Sequence, residues 1–195
     1  MAFTPAPGEQ YTIRRKVFTV FGAGFHIYAA DGDLAGYCQQ KAFKLKEDLR
    51  VYTAESKSTE LFRIGARSVL DFGATYDVSL PTGEPLGSFR RKALKSLLRD
   101  TWHVFGASGS EIGTIKEDSA AKATLRRLMG QYAALFPQRH TLATLDGVAV
   151  ATYRTHFNLF VHRLGIAILR EHEELDDLLV LAGGCLLAAI EGRQG

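Results

Sequence analysis

The sequence lacks several features that would place it in a specialised class of protein. It has only two cysteines, Cys38 and Cys185, and five prolines among 195 residues. Two distant cysteines match neither a zinc-binding spacing nor the disulfide framework of a small secreted domain. A reducing, cytosolic setting is therefore the simpler interpretation, with one long-range disulfide as the alternative. We expect no bound metal and no cofactor.

A strong net charge and a membrane-length apolar segment are missing too. The 24 basic residues nearly balance the 21 acidic ones, and the net charge of +3 is too small to predict nucleic-acid binding. The uncharged residues 178–190 fall short of the about 17 to 25 apolar residues of a membrane-spanning helix. Residues 1–10 contain Pro5, Pro7 and Gly8 but no signal-peptide core, so we expect a short flexible arm and a cytoplasmic location.

Enzyme signatures are also absent. Gly22 and Gly24 lack the third glycine of a dinucleotide loop, residues 106–110 miss the nucleophile elbow by one position, and no Walker-type loop occurs. The histidines show no metal-binding spacing. We therefore predict no catalytic residues and no enzyme activity; a hydrolase or transferase with a site assembled from distant residues is a less favoured alternative.

What the sequence does contain is a repeated turn pattern. Gly32, Gly83, Gly109 and Gly147 each follow Asp, Thr or Ser and lie between runs of strand-forming residues. This arrangement predicts four tight hairpins with a positive φ angle at the glycine. Four positions after each turn glycine stands a residue with little or no side chain: Gly36, Gly87, Gly113 and Ala151.

The second small residue predicts a β-bulge in each hairpin. An apolar or small residue precedes it, and a larger one follows two positions later; the pairs are Ala35 and Cys38, Leu86 and Phe89, Ile112 and Ile115, and Val150 and Tyr153. Residues three apart face opposite sides of a regular strand. One extra residue near the glycine would bring both to the core. A strand buried on both faces is the alternative.

The remaining sequence predicts further strands and two helices. Additional strands are expected at residues 12–20, 49–53, 61–66 and 157–169, which makes roughly a dozen. Residues 118–130 start with a capping pair and end at a glycine, which predicts a short surface helix. Residues 172–190 begin with acids and continue without charge, which is typical of a helix surrounded by protein. A sheet closed around this helix would bury it and fill the barrel.

This combination resembles the tubby C-terminal-like superfamily, in particular its LURP-one-related and phospholipid scramblase branch. The resemblance is carried by residues 11–18, 25–36, 41–46, 86–92 and 112–116 and by the C-terminal helix. It implies a mainly β fold: a roughly twelve-stranded closed β-barrel wrapped around a hydrophobic C-terminal α-helix, plus a short surface helix. Residues 11–195 would form this single domain.

The resemblance also implies a class of ligand. Tubby domains bind phosphoinositide head groups through basic side chains, and scramblases are linked to calcium-dependent lipid movement. This chain has no cysteine-rich palmitoylation cluster, no proline-rich N-terminal region and no spanning tail, so we do not expect scramblase activity. The acidic residues around 171–177 do not match an EF-hand, and the helix dipole accounts for them.

Basic residues form the candidate binding site. The segments Lys41-Ala42-Phe43-Lys44 and Lys92-Ala93-Leu94-Lys95 repeat with an offset of 51. Lys44 and Lys95 have the strand parity of solvent-facing residues, whereas Lys41 and Lys92 share the parity of apolar ones and must lie at a bulge or rim, or be buried with a partner. Together with Arg90 and Arg91 they are the candidate ligands for an anionic group. The alternative is that they are solvated lysines that protect sheet edges.

We therefore predict a non-enzymatic, monomeric binding module. A basic barrel rim would engage anionic lipid head groups, or another anionic ligand, at the inner membrane surface. The alternative is a protein-interaction or structural scaffold without a small ligand. We expect no nucleic-acid partner and no transmembrane span.

Overall fold

The computed structural model describes residues 4–16, 22–40, 48–67, 74–92, 101–118, 138–156 and 161–191. Within these residues the chain forms twelve strands followed by one helix. The elements are β1 (Tyr11–Arg15), β2 (Ala23–Ala29), β3 (Leu34–Gln40), β4 (Asp48–Tyr52), β5 (Glu60–Ala66), β6 (Thr75–Ser79), β7 (Pro85–Lys92), β8 (Thr101–Gly106), β9 (Glu111–Glu117), β10 (Arg139–Thr144), β11 (Ala149–His156), β12 (Arg163–Ile168) and α1 (Asp177–Glu191).

The strands form one closed antiparallel barrel. Each strand pairs with its neighbours along the chain, and β1 closes the barrel by pairing with β12, so that Ile13 lies opposite Leu164. Both of these side chains are fully buried. The predicted twelve-stranded barrel around a C-terminal helix is thereby confirmed.

The four predicted hairpin turns are confirmed as well. Their glycines have φ angles of 89° at Gly32, 95° at Gly83, 83° at Gly109 and 85° at Gly147. In each turn the glycine N–H donates to a carbonyl three residues earlier, as Gly83 does to Leu80 at 2.9 Å. A positive φ is costly for residues with a β-carbon, which explains the glycine at this position.

Each of these hairpins also contains the predicted β-bulge. The strand register shifts at Ala35, Leu86, Ile112 and Val150, each the residue before the second small position. A β-carbon at Gly113 would lie 2.4 Å from the Ala143 carbonyl oxygen, because the bulge brings the next strand close. One detail of the prediction is wrong: Ala35 is exposed and does not lie in the core. A fifth bulge, between β4 and β5, was not predicted.

Helix α1 runs through the barrel and fills it. Its residues 179–189 are buried, which agrees with their uncharged sequence. The helix starts at Asp177 and not at the predicted His172, because the Asp176 carboxylate caps it by accepting a hydrogen bond from the Leu178 N–H at 2.6 Å. Within the described residues no helix is both long and apolar enough to cross a membrane.

Two glycines let the helix approach the barrel wall. A β-carbon at Gly183 would lie 2.8 Å from the Tyr153 hydroxyl, and one at Gly184 would lie 2.4 Å from Cδ1 of Ile166. The Tyr153 hydroxyl itself donates a hydrogen bond to the Val180 carbonyl at 3.0 Å. The glycine pair therefore serves close packing, although glycine lowers helix propensity.

The two cysteines meet between the helix and the wall. Cys38 on β3 and Cys185 on α1 are both free and fully buried. A hydrogen bond with the Cys38 thiol, together with burial, raises the pKa of Cys185. The predicted surface helix at residues 118–130 lies, apart from Asp118, outside the described residues.

Candidate anionic-ligand site at one end of the barrel

The two ends of the barrel are built differently. One end, which we call the turn end, is formed by the short turns at residues 30–33, 53–59, 80–84, 107–110 and 145–148. We call the opposite end the far end. It is defined by the strand termini Arg15, Ala23, Gln40, Asp48, Ala66, Thr75, Lys92, Thr101, Glu117, Arg139, His156 and Arg163.

Charge is segregated between these two ends. Acidic residues dominate the turn end, where Lys57 and Arg170 are the exceptions among the described residues: Asp31, Asp33, Glu55, Glu60, Glu84, Glu111, Asp146, Glu171, Glu173, Glu174, Asp176 and Asp177. Basic residues dominate the strand termini of the far end, alongside the acids Asp48, Glu117 and Asp118 and the Glu9 carboxylate beside His156: Arg14, Arg15, Lys16, Arg67, Arg90, Arg91, Lys92, Lys116, Arg139, Arg154 and Arg163. The barrel is therefore electrostatically polarised along its axis.

Three predicted site residues lie at the end of β7, at the far end. Arg90 is on the outer face, with its guanidinium 4.8 Å from the centre of the Phe105 ring, and it donates to Thr75 Oγ1 at 3.4 Å. Arg91 has the inner-face parity of Phe89, is half-buried, and lies 5.7 Å from the Trp102 ring centre. The backbone of Lys92 pairs with Thr101. Arg90 and Arg91 are thus on opposite faces of one strand.

The other predicted lysines, Lys41, Lys44 and Lys95, lie outside the described residues. The strand termini that flank them are Gln40 and Asp48 for the first segment, and Lys92 and Thr101 for the second. All four termini belong to the far end. A shared site of Lys44 and Lys95 stays a prediction.

The sequence reasoning missed two arginine pairs on the outer wall at the far end. Arg14 lies directly opposite Arg163, and Arg139 directly opposite Arg154. Like charges at opposite positions of antiparallel strands are destabilising. Asp118 follows β9, and its N–H donates to the Arg139 carbonyl at 2.9 Å, but its carboxylate accepts a hydrogen bond from Thr141 Oγ1 at 2.7 Å. Among the described residues neither Arg139 nor Arg154 forms an ion pair.

A third arginine pair shows how such repulsion is relieved elsewhere. Arg50 lies opposite Arg63 on β4 and β5, away from the far end. Arg50 forms ion pairs with Asp48 at 3.3 Å and with Glu60 at 3.2 Å. Arg139 and Arg154 form no such ion pairs among the described residues. An external anion bound near them would therefore relieve their mutual repulsion.

Some far-end cations are already neutralised. Arg67 pairs with Asp77 at 2.5 Å. Lys16 pairs with Glu55, whose other carboxylate oxygen contacts His26 Nε2 at 2.9 Å. Hydrogen bonds first from Lys16 and then from His26 lower the pKa of Glu55 to about 2. These residues hold the β4–β5 turn against the outer wall and are poor candidates for ligand binding.

The segment before β1 packs against the outer face of β1, β11 and β12. The Glu9 carboxylate contacts His156 Nε2 at 2.6 Å and accepts a hydrogen bond from Thr12 Oγ1 at 3.2 Å. It occupies the space above Gly165, where a β-carbon would lie 1.9 Å from Glu9 Oε1. Gln10 exchanges hydrogen bonds with Ile168. These contacts involve residues 9 and 10, and flexibility of residues 1–10 as a whole stays a prediction.

A polar collar lines the inside of the barrel at the far end. Its members each lie two positions beyond a core side chain on the same face of their strand: Arg15, Gln40, Arg91, Glu117, Thr155, His140 and His162. The corresponding core residues are Ile13, Cys38, Phe89, Ile115, Tyr153, Leu142 and Leu164. The sequence contained the information needed to predict this collar. Residues two positions apart in a strand share a face, and the residue two positions beyond each of these core residues is polar.

Collar residues with a buried polar atom that lacks a hydrogen bond include Thr155 and His162. Thr155 Oγ1 and His162 Nδ1 are inaccessible to solvent and form no hydrogen bond within the described part of the chain. Burial, and secondarily the positive charge of Arg15, lowers the pKa of His162. Buried polar groups are normally hydrogen-bonded, so these atoms mark a position suited to a ligand.

The described residues offer no metal site. They contain no group of three or more His, Cys, Asp or Glu side chains that could hold a metal ion. The acidic residues before α1 lie at the turn end, where Asp176 caps the helix. Favourable interaction with the helix dipole accounts for this acidic group.

One family of known proteins matches this chain. A family model described as LURP-one-related matches residues 34–131. The match covers half of the chain and includes Arg90, Arg91 and both lysine segments. No curated protein and no solved structure matches the chain.

Proposed function

Because the chain belongs to the LURP-one-related family, we propose that it is a non-enzymatic binding module whose far end engages an anionic ligand. The observation that supports this most is the segregation of charge along the barrel axis. Basic residues lie at or beside the far-end termini of β1, β7, β9, β10, β11 and β12, while acids collect at the turn end. A net charge of only +3 conceals this arrangement.

Anionic lipid head groups are the ligand class that fits best. Each basic residue near an anionic membrane contributes about 1 kcal/mol to binding. Several such residues around one barrel rim would together hold the protein at a membrane surface, with the acidic turn end facing away. The binding residues in this proposal are Arg90, Arg91 and Lys92, with Lys41, Lys44 and Lys95. The protein would be cytoplasmic and peripheral to the inner membrane surface.

Sedimentation with vesicles tests the proposal. The protein is mixed with phosphatidylcholine vesicles, with and without phosphatidic acid, over a range of salt concentrations. We expect binding only to the anionic vesicles, and weaker binding as salt screens the charges.

Charge reversal localises the binding surface. Lys44→Glu/Lys95→Glu should weaken binding more than tenfold, because each lost cation removes about 1 kcal/mol and each new anion repels the membrane. The matched control is Lys57→Glu/Arg170→Glu, which reverses two cations at the turn end and should leave binding unchanged. Equal binding by both double variants and the parent protein would contradict the proposal.

A protein-interaction scaffold is the second candidate, and one observation favours it. The large exposed apolar side chains of the described residues are Leu34, Leu145 and Leu169, which are 44%, 65% and 52% exposed and all lie at the turn end. Apolar side chains among acids fit a partner protein with a basic, apolar surface. If vesicle binding is absent and Leu145→Asp/Leu169→Asp abolishes a protein complex, the scaffold function is supported instead.

A further inference from the structure

We propose that the inner mouth of the barrel at the far end contains a subsite for an oxyanion, formed by Thr155, His162 and Arg15. The ligand class is a phosphate monoester, either free or as a lipid head group. This inference deepens the proposed function and relies on it for the anionic nature of the ligand. It adds residues on β1 and β11, and one directly before β12, to a candidate site that sequence reasoning placed on other strands.

The three residues converge because of strand register. Arg15 is the last residue of β1, and its N–H donates to the His162 carbonyl at 3.0 Å. Thr155 lies opposite Leu164 on β12, two positions from His162 on the same face. Diagonal neighbours of this kind are within reach of each other on one face of a sheet. The residues therefore line one sector of the inner wall, beyond the core side chains of Ile13 and Leu164.

The chemistry of these groups selects an anion. A threonine hydroxyl donates a hydrogen bond, and so does Nδ1 of a histidine that carries its proton there. Arg15 adds a permanent positive charge close enough to act on His162. A cation would be repelled, whereas a phosphate offers several acceptor oxygens and forms strong charge-assisted hydrogen bonds.

Leaving these groups without partners is costly. A buried donor or acceptor without a hydrogen bond loses its hydration and gains nothing in exchange. Thr155 Oγ1 and His162 Nδ1 are both in this state among the described residues. An oxyanion between them would satisfy both atoms at once. His140 on β10 lies opposite Tyr153 and is the other diagonal neighbour of Thr155, and Glu117 on β9 lies opposite His140.

NMR titration of the histidine rings is the direct test. The full chain is titrated with pH in the presence of glycerol 3-phosphate, or of sodium chloride at matched ionic strength. We expect glycerol 3-phosphate to raise the titration midpoint of His162, because a nearby anion stabilises its protonated form. His172, which lies before α1 at the turn end and accepts a hydrogen bond from the Glu174 N–H at 3.3 Å, serves as the internal control and should not shift. His162→Gln identifies the resonance.

Thr155→Val is the matching variant, since it keeps the shape of the side chain and removes the hydroxyl. It should bind glycerol 3-phosphate about tenfold more weakly, because a hydrogen bond to a charged group is lost. Its thermal stability should equal or exceed that of the parent, since an unsatisfied buried hydroxyl has been removed. This combination distinguishes ligand binding from a structural role.

The outcomes separate this inference from the proposed function. If glycerol 3-phosphate shifts the titration midpoint of His162 but the protein does not sediment with phosphatidic acid vesicles, the subsite for free phosphate esters is supported and lipid binding is contradicted. If the protein binds the vesicles but the titration midpoint of His162 does not change, lipid binding is supported and the subsite is overturned. An equal shift in sodium chloride means that screening alone moves the midpoint, and it also overturns the subsite.

Discussion

Leu186 on α1 offers a direct measure of how much the central helix stabilises the barrel. Its side chain is 2% exposed and packs within the core. Leu186→Ala removes buried methyl groups and leaves a cavity, a change that costs about 2 to 5 kcal/mol. Alanine's slightly higher helix propensity returns only a few tenths of a kcal/mol. The net loss is a large part of the roughly 5 to 15 kcal/mol that stabilises a typical domain.

Urea unfolding and thermal melting measure this loss. For a chain of this size each kcal/mol lowers the melting temperature by about 2 to 4 °C, so we expect a decrease of roughly 5 to 20 °C. The control is Leu145→Ala, the same substitution at a residue that is 65% exposed in the β10–β11 turn. It should change stability by less than about 0.5 kcal/mol. Equal effects of the two substitutions would refute the conclusion that the helix is the core of the barrel.

Further predictions test the bulges, the acid response, the thiols and the need for the helix. Gly113→Ala should cost about 1 to 3 kcal/mol in urea unfolding, because its β-carbon would lie 2.4 Å from the Ala143 carbonyl oxygen; Ala151→Gly at the corresponding position is the control. In NMR titrations the Glu55 carboxyl should titrate near its lowered pKa of about 2, so the stability it contributes is complete above its unfolded pKa and lost as the pH falls towards 2; a midpoint at the ordinary value would contradict the Lys16 and His26 contacts. Cys38 and Cys185 should resist alkylation in the native protein and react once it unfolds, because both are fully buried; rapid native labelling, followed by mass spectrometry, would show that the core opens. Truncation before Leu178 should abolish cooperative unfolding, since it removes the core helix, and a truncated chain that still melts cooperatively would count against this.

Local patterns in the sequence were sufficient to predict the hairpins. A turn glycine such as Gly83 is required by its positive φ, and the small residue four positions later is required by the close approach of the next strand. Both requirements concern neighbouring backbone atoms, so they appear at fixed spacing. The buried helix was predictable for a similar reason, because residues 178–190 lack charge on every face.

The start of the helix and the fifth bulge were not predicted correctly. The observed start at Asp177 lies five positions after the predicted start at His172. Acidic residues are favourable both before a helix and in its first turn, so composition does not distinguish these positions. The β4–β5 turn has no turn glycine, and Lys57 adopts the positive φ of 59° instead. The glycine pattern therefore could not reveal it.

The sequence by itself determined the hairpins, the bulges and the buried helix, because their causes lie within a few residues of each other. Only the tertiary structure decided which charged residues share an end of the barrel. Arg14 and Arg163 are distant in the sequence but lie opposite each other, and Arg15 meets His162 only because β1 closes the barrel against β12. Strand register across the closure sets these pairs, and it depends on the path of the whole chain, which no local pattern records.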